Sequence, residues 1–167
     1  MGSGTLQRDH GATRTIVYAG LIGAAYAVLT LTLAPISFGP IQLRVAGLLV
    51  PLCLLHRRYG VGLAVGLALA NILSPFGWYD WLLMPIVAVG NYWLAYRLKC
   101  WPWLALLLLS IISAVAVAWF PLHMGGGIPF WPTVLMIFVS QVIVIYAGWY
   151  VIWKKYGAML EKDWRHV

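Results

Sequence analysis

Apolar residues run along this chain in long uncharged stretches, broken at a few places by basic pairs or by Pro and Gly. Between Arg14 and Arg44 lie 29 residues without a charge, between Arg58 and Asp80 there are 21, and between Lys99 and Lys154 there are 54. A helix that crosses a bilayer needs about 20 mostly apolar residues, and Pro/Gly clusters divide these stretches into segments of roughly that order. The first predicted helix centres on residues 18–33 and ends at Ala34-Pro35, where Pro35, Gly39 and Pro40 make a tight apolar connection. The second covers about 42–55 and stops at His56-Arg57-Arg58; the third, about 60–73, stops at Ser74-Pro75-Phe76-Gly77. The fourth covers about 79–96 before Arg97-Leu98-Lys99, and the last stretch divides into 102–119 and 131–153 around a turn at 121–129. The pattern predicts an all-α, polytopic membrane protein with six transmembrane helices in one domain, residues 15–153. Residues 1–14 and 154–167 are then cytoplasmic tails, and Met1-Gly2-Ser3-Gly4 reads as an appended remnant.

Composition makes the same point. Only 9% of the 167 residues are charged and 63% are apolar, whereas a soluble domain carries about 25% charged residues to wet its surface. Soluble enzymes and disordered chains are excluded. The net charge of +7 does not indicate a nucleic-acid partner, because of where the charges lie. Ten of the eleven basic residues form four clusters: Arg8 and Arg14; Arg57 and Arg58; Arg97 and Lys99; and Lys154, Lys155, Lys162 and Arg165. Basic clusters between apolar spans are the positive-inside signal. With six spans all four fall on one side, so both termini are predicted to be cytoplasmic in a prokaryotic-type cell membrane; Arg44 alone dissents. Trp residues near the span ends, such as Trp101, Trp119 and Trp131, fit aromatic belts. Cys53 and Cys100 sit at cytoplasmic span ends and suggest no disulfide framework.

Some residues are out of place in hydrocarbon. Arg44 enters the second span and Asp80 starts the fourth, and charges inside a membrane usually face a cavity or each other. Gln42, Asn71 and the aromatics Trp78 and Trp81 share that outer level. The second and third spans are short, about 14 residues or roughly 21 Å, and short interrupted helices in a bundle often mark a binding site. π-faces with a few orienting polar groups suit a small planar ligand; the alternative is that Arg44 and Asp80 form a structural pair or snorkel to outer headgroups. Deeper down, Gln141 could floor a pocket or hold helices together beside Ser140 and Asn91. His123 lies in the Gly-rich outer loop, as a lid or a simple turn. The first helix carries two small-residue ladders, Ala19/Gly23/Ala27 and Gly20/Ala24, which suit close helix packing either within the chain or onto another membrane subunit.

The sequence contains no Walker A loop, zinc-protease motif, paired-Cys motif or nucleophile elbow. No catalytic residue, metal site or cofactor is predicted, and any active transport must draw on a partner or a coupled ion. The stretches Ala24-Ala25-Tyr26-Ala27-Val28-Leu29-Thr30, Ala34-Pro35-Ile36-Ser37-Phe38-Gly39-Pro40-Ile41-Gln42-Leu43-Arg44-Val45 and Ala70-Asn71-Ile72-Leu73-Ser74-Pro75-Phe76-Gly77, with Asp80, resemble the QueT family. That family comprises substrate-binding S-components of energy-coupling factor (ECF) transporters assigned to queuosine precursors. The resemblance implies a six-helix S-component bundle with an outward-facing pocket. It also implies docking on a coupling membrane subunit that rides on two ATPase subunits, with Ala19, Gly20, Gly23, Ala24 and Ala27 near that contact. Gln42, Arg44, Asn71 and Asp80 match polar positions of the family. Two positions depart: Gly47 stands where relatives have Glu, and Ser140-Gln141 where they have Gly-Glu. The competing reading is a solitary secondary transporter, or a vitamin or aromatic-compound uptake protein, working without ATPases. Asp80 is the one acid outside the tails, which disfavours a proton relay.

Overall fold

A computed structural model describes residues 3–38, 43–75, 77–119 and 129–164. The described residues form seven helices and no strand: α1 (Ser3–Thr32), α2 (Ala34–Ser37), α3 (Val45–Leu54), α4 (Arg57–Asn71), α5 (a π-wound turn at Tyr79–Leu83 running on as Met84–Arg97), α6 (Pro102–Val117) and α7 (Phe130–Trp164). Each of the six predicted helices has a counterpart here. α2 is an addition, one short turn inside the predicted connection, with Pro35 near its start, where a missing N–H costs nothing.

α1 and α7 extend well past the apolar stretches, into residues the hydropathy pattern gives to the tails. Charge ends a membrane span without ending a helix, and no Pro falls between residues 3 and 34 or between 133 and 164. The portions Thr13–Thr32 and Phe130–Lys155 are each long and apolar enough to cross a bilayer. Leu21, Ile86, Leu135 and Val151 are all more than 60% exposed. Apolar surface on that scale belongs against hydrocarbon, as in a membrane protein.

α3 departs from expectation. It is wound as a 3-10 helix of ten residues with Pro51 inside it, not as an α-helix over 42–55. At about 2.0 Å per residue a 3-10 winding covers roughly 20 Å, where ten α-helical residues cover about 15 Å. The tighter winding lets a short segment reach through the bundle. α3 lies at the centre, packed by α7, α4, α1 and α5, and buries Ala46, Gly47, Val50, Pro51, Cys53 and Leu54. Gly148 of α7 lies directly on the Leu48 carbonyl, leaving no room for a Cβ.

The start of α5 is set by two residues. Gly77 has φ +69°, a left-handed conformation that favours glycine, and its carbonyl accepts the Asp80 N–H at 3.1 Å. Pro85 has no N–H to give the Trp81 carbonyl, and just ahead of it the Met84 N–H bonds back five residues to Tyr79. The wider turn faces Asp80 inward, leaving it 1% exposed.

Candidate ligand-binding cavity

A cavity of about 60 Å³ lies inside the bundle where α1, α3, α4, α5, α6 and α7 converge. Its wall combines Arg44 and Gly47 at the entry to α3, Tyr26 of α1, Met84 and Tyr92 of α5, Ser113 of α6, and Ser140 and Gln141 of α7. Leu67, Leu109, Val117, Val144 and Ile145 supply the apolar part. The volume holds a few waters.

Behind one wall is a fixed polar cluster. The Arg44 guanidinium stands 3.6 Å from an Asp80 carboxylate oxygen. Asn71, buried at the last turn of α4, donates through Nδ2 to both the Asp80 backbone carbonyl and Asp80 Oδ1, each at 3.0 Å. The Arg44 guanidinium lies 5.4 Å from the centre of the Phe38 ring and interacts with Tyr26. Hydrogen-bonding capacity remains in this cluster: among the described residues Arg44 Nε has no acceptor and Asn71 Oδ1 no donor, while Arg44 Nη2 and Asp80 Oδ2 meet only across the 3.6 Å ion pair. Buried donors of this kind are costly unless something accepts from them. A cation with open N–H groups, aromatic hydroxyls and an apolar wall can orient a flat polar molecule.

The predicted site residues divide. Arg44 and Gln141 line the cavity. Asn71 and Asp80 do not line it but stand behind Arg44, Asp80 paired with its guanidinium and Asn71 bonded to Asp80. Trp78 and Trp81 stand apart from the cavity: both are exposed, at 51% and 43%, and neither is among its described lining residues. Trp78 stacks on Tyr79 instead, with ring centres 4.2 Å apart. Gln42 and His123 lie outside the described residues. Tyr26, Tyr92 and Ser113 were missed; their one sequence signal is a hydroxyl-bearing side chain inside an apolar span. Gly47, noted only as a departure, lines the cavity, and a Cβ there would stand 3.1 Å from a Val144 methyl. Asn91 is interhelical glue: its Nδ2 donates to the Leu109 carbonyl at 3.0 Å and to Ser113 Oγ at 2.9 Å.

The two ladders of α1 also part company. Gly23 and Ala27 are buried, and α1 and α4 meet backbone to backbone: Gly23 on the Gly62 carbonyl, Gly62 on that of Ala19, and Gly66 on that of Gly23. Gly20 and Ala24 are exposed, a Cβ at Gly20 would meet nothing within 4 Å, and both border an outer groove with Ile16, Val61, Val65 and Leu69.

The QueT transporter family model matches residues 16–156. The "Queuosine precursor transporter QueT" of Lactococcus lactis subsp. cremoris (strain MG1363) is 37% identical over 70 residues, a segment spanning 41% of this chain and 41% of that relative. No solved structure matches. Since the family model takes in the apolar part of α1 and every other helix around the cavity, the chain belongs to the QueT transporter family.

Proposed function

We propose that this chain is the substrate-binding S-component of an ECF-type importer. It captures a small planar heteroaromatic, a queuosine precursor or a related deazapurine, and releases it inward when ATPase subunits drive it to topple. The reading places six spans in the cell membrane with both termini cytoplasmic, as the four basic clusters favour. The observation that carries it is Arg44: a guanidinium at the wall of the cavity, paired with Asp80 at 3.6 Å, whose Nε and Nη2 make no hydrogen bond to an acceptor among the described residues. The carbonyl edge of a deazaguanine supplies what those donors lack. Docking on a coupling membrane subunit is assigned to the exposed Gly20/Ala24 ladder and the largely apolar groove beside it, because Gly23 packs on the α4 backbone and Ala27 is buried.

Two lining residues narrow the ligand. By the family resemblance Gly47 and Gln141 stand where relatives typically have Glu, and Asp80 is held by Arg44 and Asn71. A buried ammonium without a counter-charge costs several kcal/mol, equivalent to at least about a hundredfold in affinity. A neutral deazaguanine is therefore the preferred ligand over its aminomethyl analogue. Calorimetry with both compounds tests this: wild type binds the neutral one more tightly, Gln141→Glu shifts the preference towards the cationic one, and Arg44→Gln weakens both. Tighter wild-type binding of the cationic compound overturns the preference, and unaltered binding by Arg44→Gln overturns the site. Co-purification with two ATPases and a coupling subunit tests the transport class.

A further inference from the structure

The first turn of α4 lies beside the last turns of α5, since a Cβ on Gly60 would stand 2.9 Å from the Tyr92 Cβ. That end of the pair carries Arg57 and Arg58 on α4 and Arg97 on α5. Between the helices runs a groove of about 260 Å³ lined by Arg57, Arg58, Val61, Val89 and Trp93. Val89, Trp93 and Arg97 are spaced four apart and share one face of α5. The Arg97 guanidinium lies 5.0 Å from the Trp93 ring centre, which places a cation at the mouth of the apolar wall. Val61, Val89 and Trp93 are each about half exposed. The one acid in α4 or α5 is Asp80, at the far end of α5 and engaged by Arg44.

A cationic mouth above an apolar trough matches one chemistry, a phosphodiester with an acyl chain attached. Guanidinium groups suit phosphate oxygens geometrically, and basic recesses between membrane helices on the cytoplasmic side are where anionic headgroups seat. We infer that this groove is a binding site for an anionic phospholipid, with its phosphate among Arg57, Arg58 and Arg97 and an acyl chain along Val61, Val89 and Trp93. The inference shares with the proposed function only the membrane location and orientation. It makes no use of the central cavity, so the two fail independently.

Native mass spectrometry of the detergent-purified chain, titrated with phosphatidylglycerol, phosphatidylcholine or inorganic phosphate, provides the test. One phosphatidylglycerol is expected to bind at concentrations where phosphatidylcholine does not. Each arginine removed in Arg57→Gln, Arg58→Gln and Arg97→Gln lowers its affinity about fivefold, the equivalent of one basic group at an anionic surface. Lys154→Gln/Lys155→Gln leaves it unchanged. Val89→Trp, which fills the trough without touching a charge, also lowers occupancy and keeps the test decisive if an arginine variant fails to fold. Equal binding of the two lipids, arginine or Val89→Trp variants that bind like wild type, or inorganic phosphate binding as tightly as the lipid each overturns the assignment.

Discussion

Gly23→Leu and Gly20→Leu add the same side chain to the same helix, one turn apart, yet the structure predicts opposite consequences. A Cβ on Gly23 would run into the Gly62 carbonyl oxygen, with the Gly66 backbone nitrogen 3.5 Å away. Both obstacles are backbone, so no rotamer change relieves the overlap and α1 must lift off α4. Overpacking a close interior contact costs typically 1–3 kcal/mol and occasionally more. Helix association in a membrane rests largely on such packing, so about 3 kcal/mol is the expected cost. For a chain of this size that lowers the melting temperature by roughly 6–12 °C. A Cβ on Gly20 meets nothing within 4 Å and the groove beside it leaves room for the rest of the side chain, so Gly20→Leu should stay within about 0.5 kcal/mol of wild type. Thermal melting of the two variants in the same detergent, beside Gly23→Ala, measures this directly. Gly20→Leu should also keep ligand binding while losing transport in cells, if its face docks the coupling subunit. A Gly23→Leu protein that melts like wild type, or a Gly20→Leu protein that is equally destabilised, refutes the α1–α4 contact as described.

Asp80→Asn leaves Arg44 charged in a buried setting and should cost about 3–5 kcal/mol in stability. The double change with Arg44→Gln should recover part of that loss without restoring ligand binding, because the guanidinium donors are gone; strictly additive melting shifts would show that the pair is uncoupled. His56, at the corner between α3 and α4, caps α4 by accepting the Arg58 N–H on Nδ1 at 3.1 Å. Burial, then the charges of Arg58 and Arg57, lower its pKa from the ordinary 6.5. A folded-state pKa below the unfolded value means the folded state favours neutral imidazole. His56 thus contributes its stability fully above pH 6.5, and that contribution is lost as pH falls below this value and through the lowered pKa. His56→Asn keeps a capping oxygen and cannot titrate, so its melting temperature should fall less than wild type between pH 7.5 and pH 5; identical pH dependence would count against the cap.

Tyr26 and Trp78 illustrate what aromatic residues in an apolar chain leave undecided. Trp78 stands beside Asp80 in sequence and looks like site material, yet it faces outward while Asp80 faces inward. The π turn ahead of Pro85 helps decide this, and its effect on individual side chains is not visible in the order of residues. Tyr26 looks like filler in an apolar helix and in fact lines the cavity with Arg44. Asn71 and Arg44 were legible because a polar group in hydrocarbon is expensive wherever it points, so its presence alone implies a partner.

The sequence by itself determined the helices and the places where they turn. Pro, Gly and basic pairs fix those points through local backbone geometry and hydration, which act within a few residues of the chain. It also placed Arg44, Asn71 and Asp80 at one level of the bundle, where burying any one of them alone is unfavourable, and the structure joins them. Tertiary structure decided which face of each helix looks inward, which ladder of α1 is buried, and that α3 is drawn out as a 3-10 helix. The reason lies in the solvent. In water a helix shows an apolar stripe that names its buried face, but against lipid the outward face is as apolar as the inward one. Hydrophobicity then carries no direction, and close packing such as Gly23 on Gly62 or Gly148 on Leu48 settles the arrangement instead.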